Sequence, residues 1–184
     1  MRQSAEHRIG APIAAVWRSL NDPDLLARCI DGCESMKRTA DDAFEARVKT
    51  KVGPLAAVFT VELEIIDADP PNGYTLKASA RGGPAGFGKG EARVTLLADA
   101  GDTLLRYDIS GSVGGKLAQV GQRLIDAVGR KMADDFFAAF GEGVAPGEPR
   151  VVDRQGAARR PARASWLIAI IAAAAVAAAL LFLR

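Results

Sequence analysis

The hydrophobic period changes once along the chain, and that change restricts the fold more than any other feature. Between residues 44 and 113 apolar side chains recur at every second position. Phe44, Ala46, Val48 and Val52 are followed by Leu55, Ala57, Phe59, Val61, Leu63 and Ile65. Tyr74, Leu76, Ala78 and Ala80 continue the pattern, then Ala92, Val94 and Leu96. Period two places one side of a strand indoors and the other in water. Gly53-Pro54, the Asp-Pro-Pro-Asn-Gly run at 69–73, and Gly101-Asp102 interrupt it at the spacing of an antiparallel meander, and a last strand is expected over 103–113. After Gly114-Gly115 the period lengthens. Leu117, Gly121, Leu124, Val128, Met132, Phe136 and Phe140 fall on one helical face, so a long helix is expected over 116–140. Lys116, Arg123, Arg130 and Lys131 supply much of its other side.

Ahead of the meander, residues 3–9 read as a first strand. Ala11-Pro12 opens a short helix whose apolar side is Ile13, Val16, Trp17 and Leu20. Asn21-Asp22-Pro23 starts a second, with Asn or Asp as cap, proline near its first position, and Leu25, Leu26 and Cys29 or Ile30 on the buried side. The order is strand, two short helices, about six strands, long helix: an α+β architecture. An antiparallel sheet of that size bends, and one helix laid across its concave face leaves a gap. An apolar ligand cavity is expected there.

The other constraint is at the C-terminal end. Residues 166–183, WLIAIIAAAAVAAALLFL, carry no charge. As a helix they would span about 27 Å, close to the roughly 30 Å of a bilayer's hydrocarbon core. A helix is the element that satisfies its own backbone in lipid, and Trp166 stands at the polar border. Arg159, Arg160 and Arg163 precede the span and Arg184 alone follows it. The excess of positive charge upstream predicts a single-pass tail anchor in the inner, cytoplasmic membrane, with residues 1–165 in the cytoplasm. Ala169, Ala173 and Ala177 form a small-residue stripe. Residues 141–165 are rich in Gly, Pro, Ala and Arg, show no apolar period, and read as a flexible tether of about 25–30 Å. The expected divisions are a cavity domain over 1–140, a linker over 141–165 and a transmembrane helix over 166–183.

Charge and motifs narrow the function. Residues 1–140 hold 18 Lys+Arg against 19 Asp+Glu, which gives no basic excess for nucleic acid. His7 is the sole histidine and reads as a solvated strand residue, not as half of a catalytic dyad. Cys29 and Cys33 would need two further ligands for zinc and read as free thiols at a helix–loop corner. Asp41-Asp42 and Asp134-Asp135 have no apolar run beside them to raise a carboxyl pKa, so no catalytic and no metal residues are expected. Gly83, Gly86, Gly88 and Gly90 miss the G-x-G-x-x-G spacing and precede a strand, which removes the helix N-terminus a phosphate needs. Phe87, stranded among these glycines in the run 81–90, reads instead as a mobile gate that could cover the pocket, dip into a bilayer or insert at a partner.

Four stretches carry a resemblance. They are Ala11-Pro12 through Val16-Trp17; Leu20-Asn21-Asp22-Pro23 running into Cys29-Ile30-Asp31-Gly32-Cys33-Glu34; Gly53-Pro54 ahead of Phe59; and residues 114–125, GGKLAQVGQRLI, with Asp135-Phe136-Phe137 beyond. Together they resemble the CoxG family, named for a carbon monoxide dehydrogenase subunit, of the START and Bet v 1-like (SRPBCC) superfamily with its helix-grip fold. Asp31 stands where that family usually has proline. The resemblance implies a non-catalytic accessory protein that recruits a cytoplasmic, molybdenum-containing carbon monoxide dehydrogenase to the inner membrane. A cavity held near lipid suggests a quinone as its ligand, with Phe59, Phe87, Tyr107, Leu117, Gly121 and Leu124 as expected lining residues. The alternative is a carrier of lipid or another small hydrophobic molecule, serving another molybdenum hydroxylase or none. A cyclase-like enzyme of the same fold is the third reading.

Overall fold

The computed structural model describes residues 2–144. Strand β1 (Arg2–Ile9) leads into helices α1 (Ile13–Leu20) and α2 (Pro23–Cys29). Strands β2 (Cys33–Ala40), β3 (Ala43–Val52), β4 (Leu55–Asp69), β5 (Gly73–Arg81), β6 (Phe87–Asp99) and β7 (Asp102–Gly114) follow, and helix α3 (Gln122–Gly143) closes the domain. All seven strands pair antiparallel in one sheet of order β1-β7-β6-β5-β4-β3-β2. This is the α+β order expected from the periodicity, in the helix-grip arrangement that the resemblance implies. Residues 145–184, and with them most of the expected linker and the whole expected span, lie outside the described residues. Among the described residues no helix is long and apolar enough to cross a membrane.

The alternating residues make the inner face. Phe44, Ala46, Val48, Thr50 and Val52 of β3 are all buried, as are Phe59, Val61 and Leu63 of β4 and Leu105, Tyr107, Ile109 and Val113 of β7. Their neighbours in sequence form a charged outer face with cross-strand pairs such as Lys37–Glu45 at 2.8 Å and Arg81–Glu62 at 2.9 Å. Helix α2 begins where the sequence marks it. Asp22 caps it by accepting from the backbone N–H of Asp24 at 2.9 Å and of Leu25 at 3.3 Å, with Pro23 in the first turn. Thr103 is fully buried, and its hydroxyl donates to the Ala11 carbonyl at 2.7 Å, fixing the chain between β1 and α1.

Two expectations need correction. The long helix begins at Gln122 instead of residue 116. Gly121 sits at φ +95°, in the left-handed region that ends helical geometry, and residues 115–120 form a separate 3-10 turn. Leu117 is completely buried but belongs to that turn, and Gly121 is exposed. Their helical spacing with Leu124 is a coincidence of period. The glycine-rich run over 81–90 is also shorter than expected. It is a compact turn over 82–86, and Phe87 already belongs to β6. Gly86, at φ +115°, lies so close to Gly114 and Gly115 that a Cβ there would strike the Gly114 carbonyl. The turn after β5 and the turn after β7 are thereby locked together.

Helix α3 crosses the concave face from end to end. Near its start Leu124 reaches the β3–β4 turn, where a Cβ on Gly53 would meet its Cδ2 at 2.7 Å. At its other end a Cβ on Gly143 would meet Leu25 of α2 at 2.7 Å. Ile125, Met132, Ala133, Phe136, Phe137 and Phe140 form the side turned to the sheet.

Candidate functional site

The far end of α3 does not fill the space beneath it. Phe136 and Phe137 form the roof of an apolar cavity, Leu20 of α1, Leu26 of α2 and Met36 of β2 close one end, and the sheet is its floor. The floor follows the register. Ile65, Leu76, Ala92 and Ile109 lie in one cross-strand row, and Tyr74, Val94 and Tyr107 in the next. The cavity has a volume of about 60 Å³. An apolar cavity of roughly 150 Å³ holds a benzene ring, so this space admits no aromatic ligand until the roof moves.

Strand β1 extends both rows to the sheet edge. Gln3 stands opposite Ile109, Ala5 opposite Tyr107 and His7 opposite Leu105. Gln3 donates from Nε2 to the Tyr107 hydroxyl at 3.1 Å. The imidazole of His7 stacks on Phe137 with centroids 4.1 Å apart, and Tyr107 stacks on Phe137 at 5.4 Å. His7 is therefore not the solvated residue that its polar neighbours suggest. It is half-buried, and its Nε2, like Oε1 of Gln3, is buried with no hydrogen-bond partner. Each such orphan costs roughly 1–3 kcal/mol.

Burial lowers the His7 pKa from its ordinary 6.5, and the nearby Asp134 carboxylate partly opposes the shift. The folded form thus binds its proton only at lower pH than the unfolded chain does. Stability is unaffected by His7 above pH 6.5 and falls as pH drops below it, because the unfolded state gains the proton first. The melting temperature of the wild type should decline more between pH 7 and pH 5 than that of His7→Phe. Parallel melting curves across that range would show that His7 takes no part.

The six residues expected to line the ligand site divide between two places. Tyr107 lies in the cavity floor. Phe59 and Leu117 are fully buried in the core towards the opposite end of the sheet, where the Phe59 ring fills the space over Gly82 and a Cβ there would meet it at 2.5 Å. Leu124 packs towards Gly53 in that region, and Gly121 is exposed beside it. Phe87 pairs with Arg81 and Gly114 on the outer face, 49% exposed with its ring against Gly114, and does not touch the cavity. The cavity instead takes Phe136 and Phe137, both on the helical face marked by the sequence or next to it.

The remaining chemistry is sparse. Burial pushes the Cys29 and Cys33 thiols up, and Cys33 donates to the Ser35 carbonyl at 3.4 Å, so neither is a ready nucleophile. Among the described residues no cluster of three or more His, Cys, Asp or Glu is placed to hold a metal ion.

Comparison with known proteins follows the same outline. The family model of CoxG, a carbon monoxide dehydrogenase subunit, matches residues 6–145. A conserved protein from Geobacillus kaustophilus, 29% identical, superposes with a TM-score of 0.73 over 78% of this chain and 95% of its own. A START superfamily protein from Mycobacterium smegmatis, 14% identical, superposes at 0.58 over 78% of this chain and 96% of its own. The Zhui aromatase/cyclase from Streptomyces sp. R1128, 19% identical, superposes at 0.51 over 78% of this chain and 94% of its own. The last two establish the fold alone. No curated protein matches the chain significantly.

Proposed function

Because the chain belongs to the CoxG family of carbon monoxide dehydrogenase subunits, we propose that it is a non-catalytic accessory protein of a cytoplasmic molybdenum-containing carbon monoxide dehydrogenase. Its task is to bring that enzyme to the inner membrane and to hold an apolar ligand, a quinone, between α3 and the sheet. The observation that carries the reading is the family match over the whole helix-grip domain, joined to an apolar cavity under the aromatic end of α3. Fifteen residues line that cavity, and only the two tyrosines among them bear a polar side-chain atom. Such a lining suits a greasy ring and offers no acid–base pair for chemistry.

A quinone is far larger than about 60 Å³. Binding therefore requires Phe136 and Phe137 to turn aside, and the ligand replaces their contacts with its own. The free domain is then the closed form and the occupied domain an open one. Anchoring by residues 166–183 would keep the domain within reach of lipid-dissolved quinone while the linker lets it meet the enzyme.

Copurification tests the partner. A chain truncated after residue 144 and carrying an affinity tag should retain the hydroxylase from a cytoplasmic extract, and the full-length chain should carry it into the membrane fraction. Failure of both to capture a molybdenum enzyme, with extractable lipid or another hydrophobic molecule still bound, would replace this reading with that of a free-standing carrier.

A further inference from the structure

Beyond the cavity's apolar floor, strand β1 carries two buried polar atoms without a hydrogen-bond partner, Oε1 of Gln3 and Nε2 of His7. Ile109 and Tyr107 line the cavity, and the register continues their rows onto Gln3 and Ala5, with His7 in the row beyond. Gln3, Ala5 and His7 occupy alternate positions, so all three point to the inner face. Ala5 is nonetheless exposed. Solvent therefore reaches the inner face of β1 between Gln3 and His7.

We propose that Gln3, His7 and Tyr107 form a hydrogen-bonding end of this cavity, which takes a planar ring bearing a carbonyl or hydroxyl oxygen. The proposal rests on the reading of the cavity as a ligand site and assigns the chemistry of one end of that ligand. Tyr107 accepts from Gln3, so its own O–H remains to donate. Oε1 of Gln3 is an acceptor without a donor. Nε2 of His7 has no partner, and a neutral imidazole nitrogen either donates or accepts according to its tautomer. Burial favours that neutral form. The charged groups facing it are few: the Asp134 carboxylate of α3 acts on both His7 and Tyr107.

One donor, one acceptor and one group able to serve as either match a ring oxygen in both of its states. A ring carbonyl accepts from Tyr107 or His7. A ring hydroxyl accepts from one and donates to Gln3 Oε1 or His7. The same end thus receives oxidised and reduced forms of a quinone-like ring without a change of fold. The near-parallel faces of His7 and Tyr107, at an interplanar angle of 12°, supply a surface on which such a ring stacks once Phe137 moves.

Paired probes test this in the full-length chain held in detergent. Menadione and 2-methylnaphthalene share a skeleton and differ in the two oxygens. Calorimetric titration should show that Gln3→Leu/His7→Phe weakens menadione binding by about tenfold or more and leaves 2-methylnaphthalene within about twofold. His7→Gln, which keeps a polar atom near the Nε2 position, should retain most of the menadione affinity that His7→Phe loses. Equal losses for both probes, or no loss for either, would overturn the polar end while leaving the apolar cavity in place. If neither probe binds the wild-type chain, the cavity-ligand reading falls and this proposal with it. Circular dichroism of each variant separates loss of binding from loss of fold.

Discussion

Phe136→Ala should destabilise the domain by about 3–5 kcal/mol and at the same time tighten its binding of small aromatic hydrocarbons. Phe136 is 4% exposed, stacks on Phe140 with centroids 5.6 Å apart and meets Phe137 edge-on at 5.2 Å. Truncation removes its buried area and leaves a void continuous with the existing cavity. The loss is a large fraction of the roughly 5–15 kcal/mol that holds a domain of this kind together. The gain in binding has the same origin. In the wild type a ligand must first displace the phenyl rings, since about 60 Å³ is less than half of what benzene occupies in an apolar cavity. In the variant that displacement has already been made at the expense of stability. A probe at a hundred times its dissociation constant would then return about 2.7 kcal/mol. Urea unfolding with and without benzene or toluene reads both effects in one experiment. Equal ligand stabilisation of wild type and variant would mean that the roof swings open at negligible cost, and the closed form would have no energetic weight.

The legible part of the fold was the part with a clean period. Strands β3 to β7 were readable because each alternates apolar, largely inward residues with more exposed, mostly polar ones. Strand β2 was not, since the edge strand CESMKRTA is exposed at most positions and offers no alternation. The start of α3 was misplaced because Leu117 and Leu124 both face the core, one from a 3-10 turn and one from the helix, and a period count does not distinguish them. Only a backbone angle, the positive φ of Gly121, separates the two. For the site, parity along a strand was readable and position along it was not. Phe59 and Tyr107 both point inward, yet Phe59 packs over Gly82 in one end of the core and Tyr107 borders the void at the other. Which end stays empty depends on how α2 meets α3, a contact between segments about a hundred residues apart. His7 did leave a signal. Gln3, Ala5, His7 and Ile9 are alternate residues, and the apolar Ile9 marks their row as the inward one, which its burial in the structure bears out.

With residues 166–183 acting as the proposed tail anchor, Ala175→Arg should move the full-length protein from the membrane fraction to the soluble fraction. The residue lies at the midpoint of the uncharged span 166–183. That span holds nine strongly apolar residues (Leu167, Ile168, Ile170, Ile171, Val176, Leu180, Leu181, Phe182 and Leu183), and the rest is mostly alanine. At about 0.3–0.6 kcal/mol each, the nine supply about 3–5 kcal/mol towards insertion. A central arginine opposes insertion by about 2.5–3.5 kcal/mol, which brings the balance close to zero. An alanine-rich span has little reserve, so one charge should suffice where a leucine-rich span would tolerate it. The same substitution at residue 164, outside the span and beside Arg163, should leave fractionation unchanged and strengthen the positive flank. Alkaline extraction of membranes followed by blotting distinguishes inserted from surface-bound chain. Protease added to spheroplasts tests the orientation, since a domain retained in the cytoplasm by Arg159, Arg160 and Arg163 stays intact. If Ala175→Arg pellets with membranes but is released by the alkaline wash, residues 166–183 are not what binds it to lipid and the helix-grip domain itself makes the contact; if it resists the wash, the span inserts with the arginine in it and holds more reserve than this sum allows.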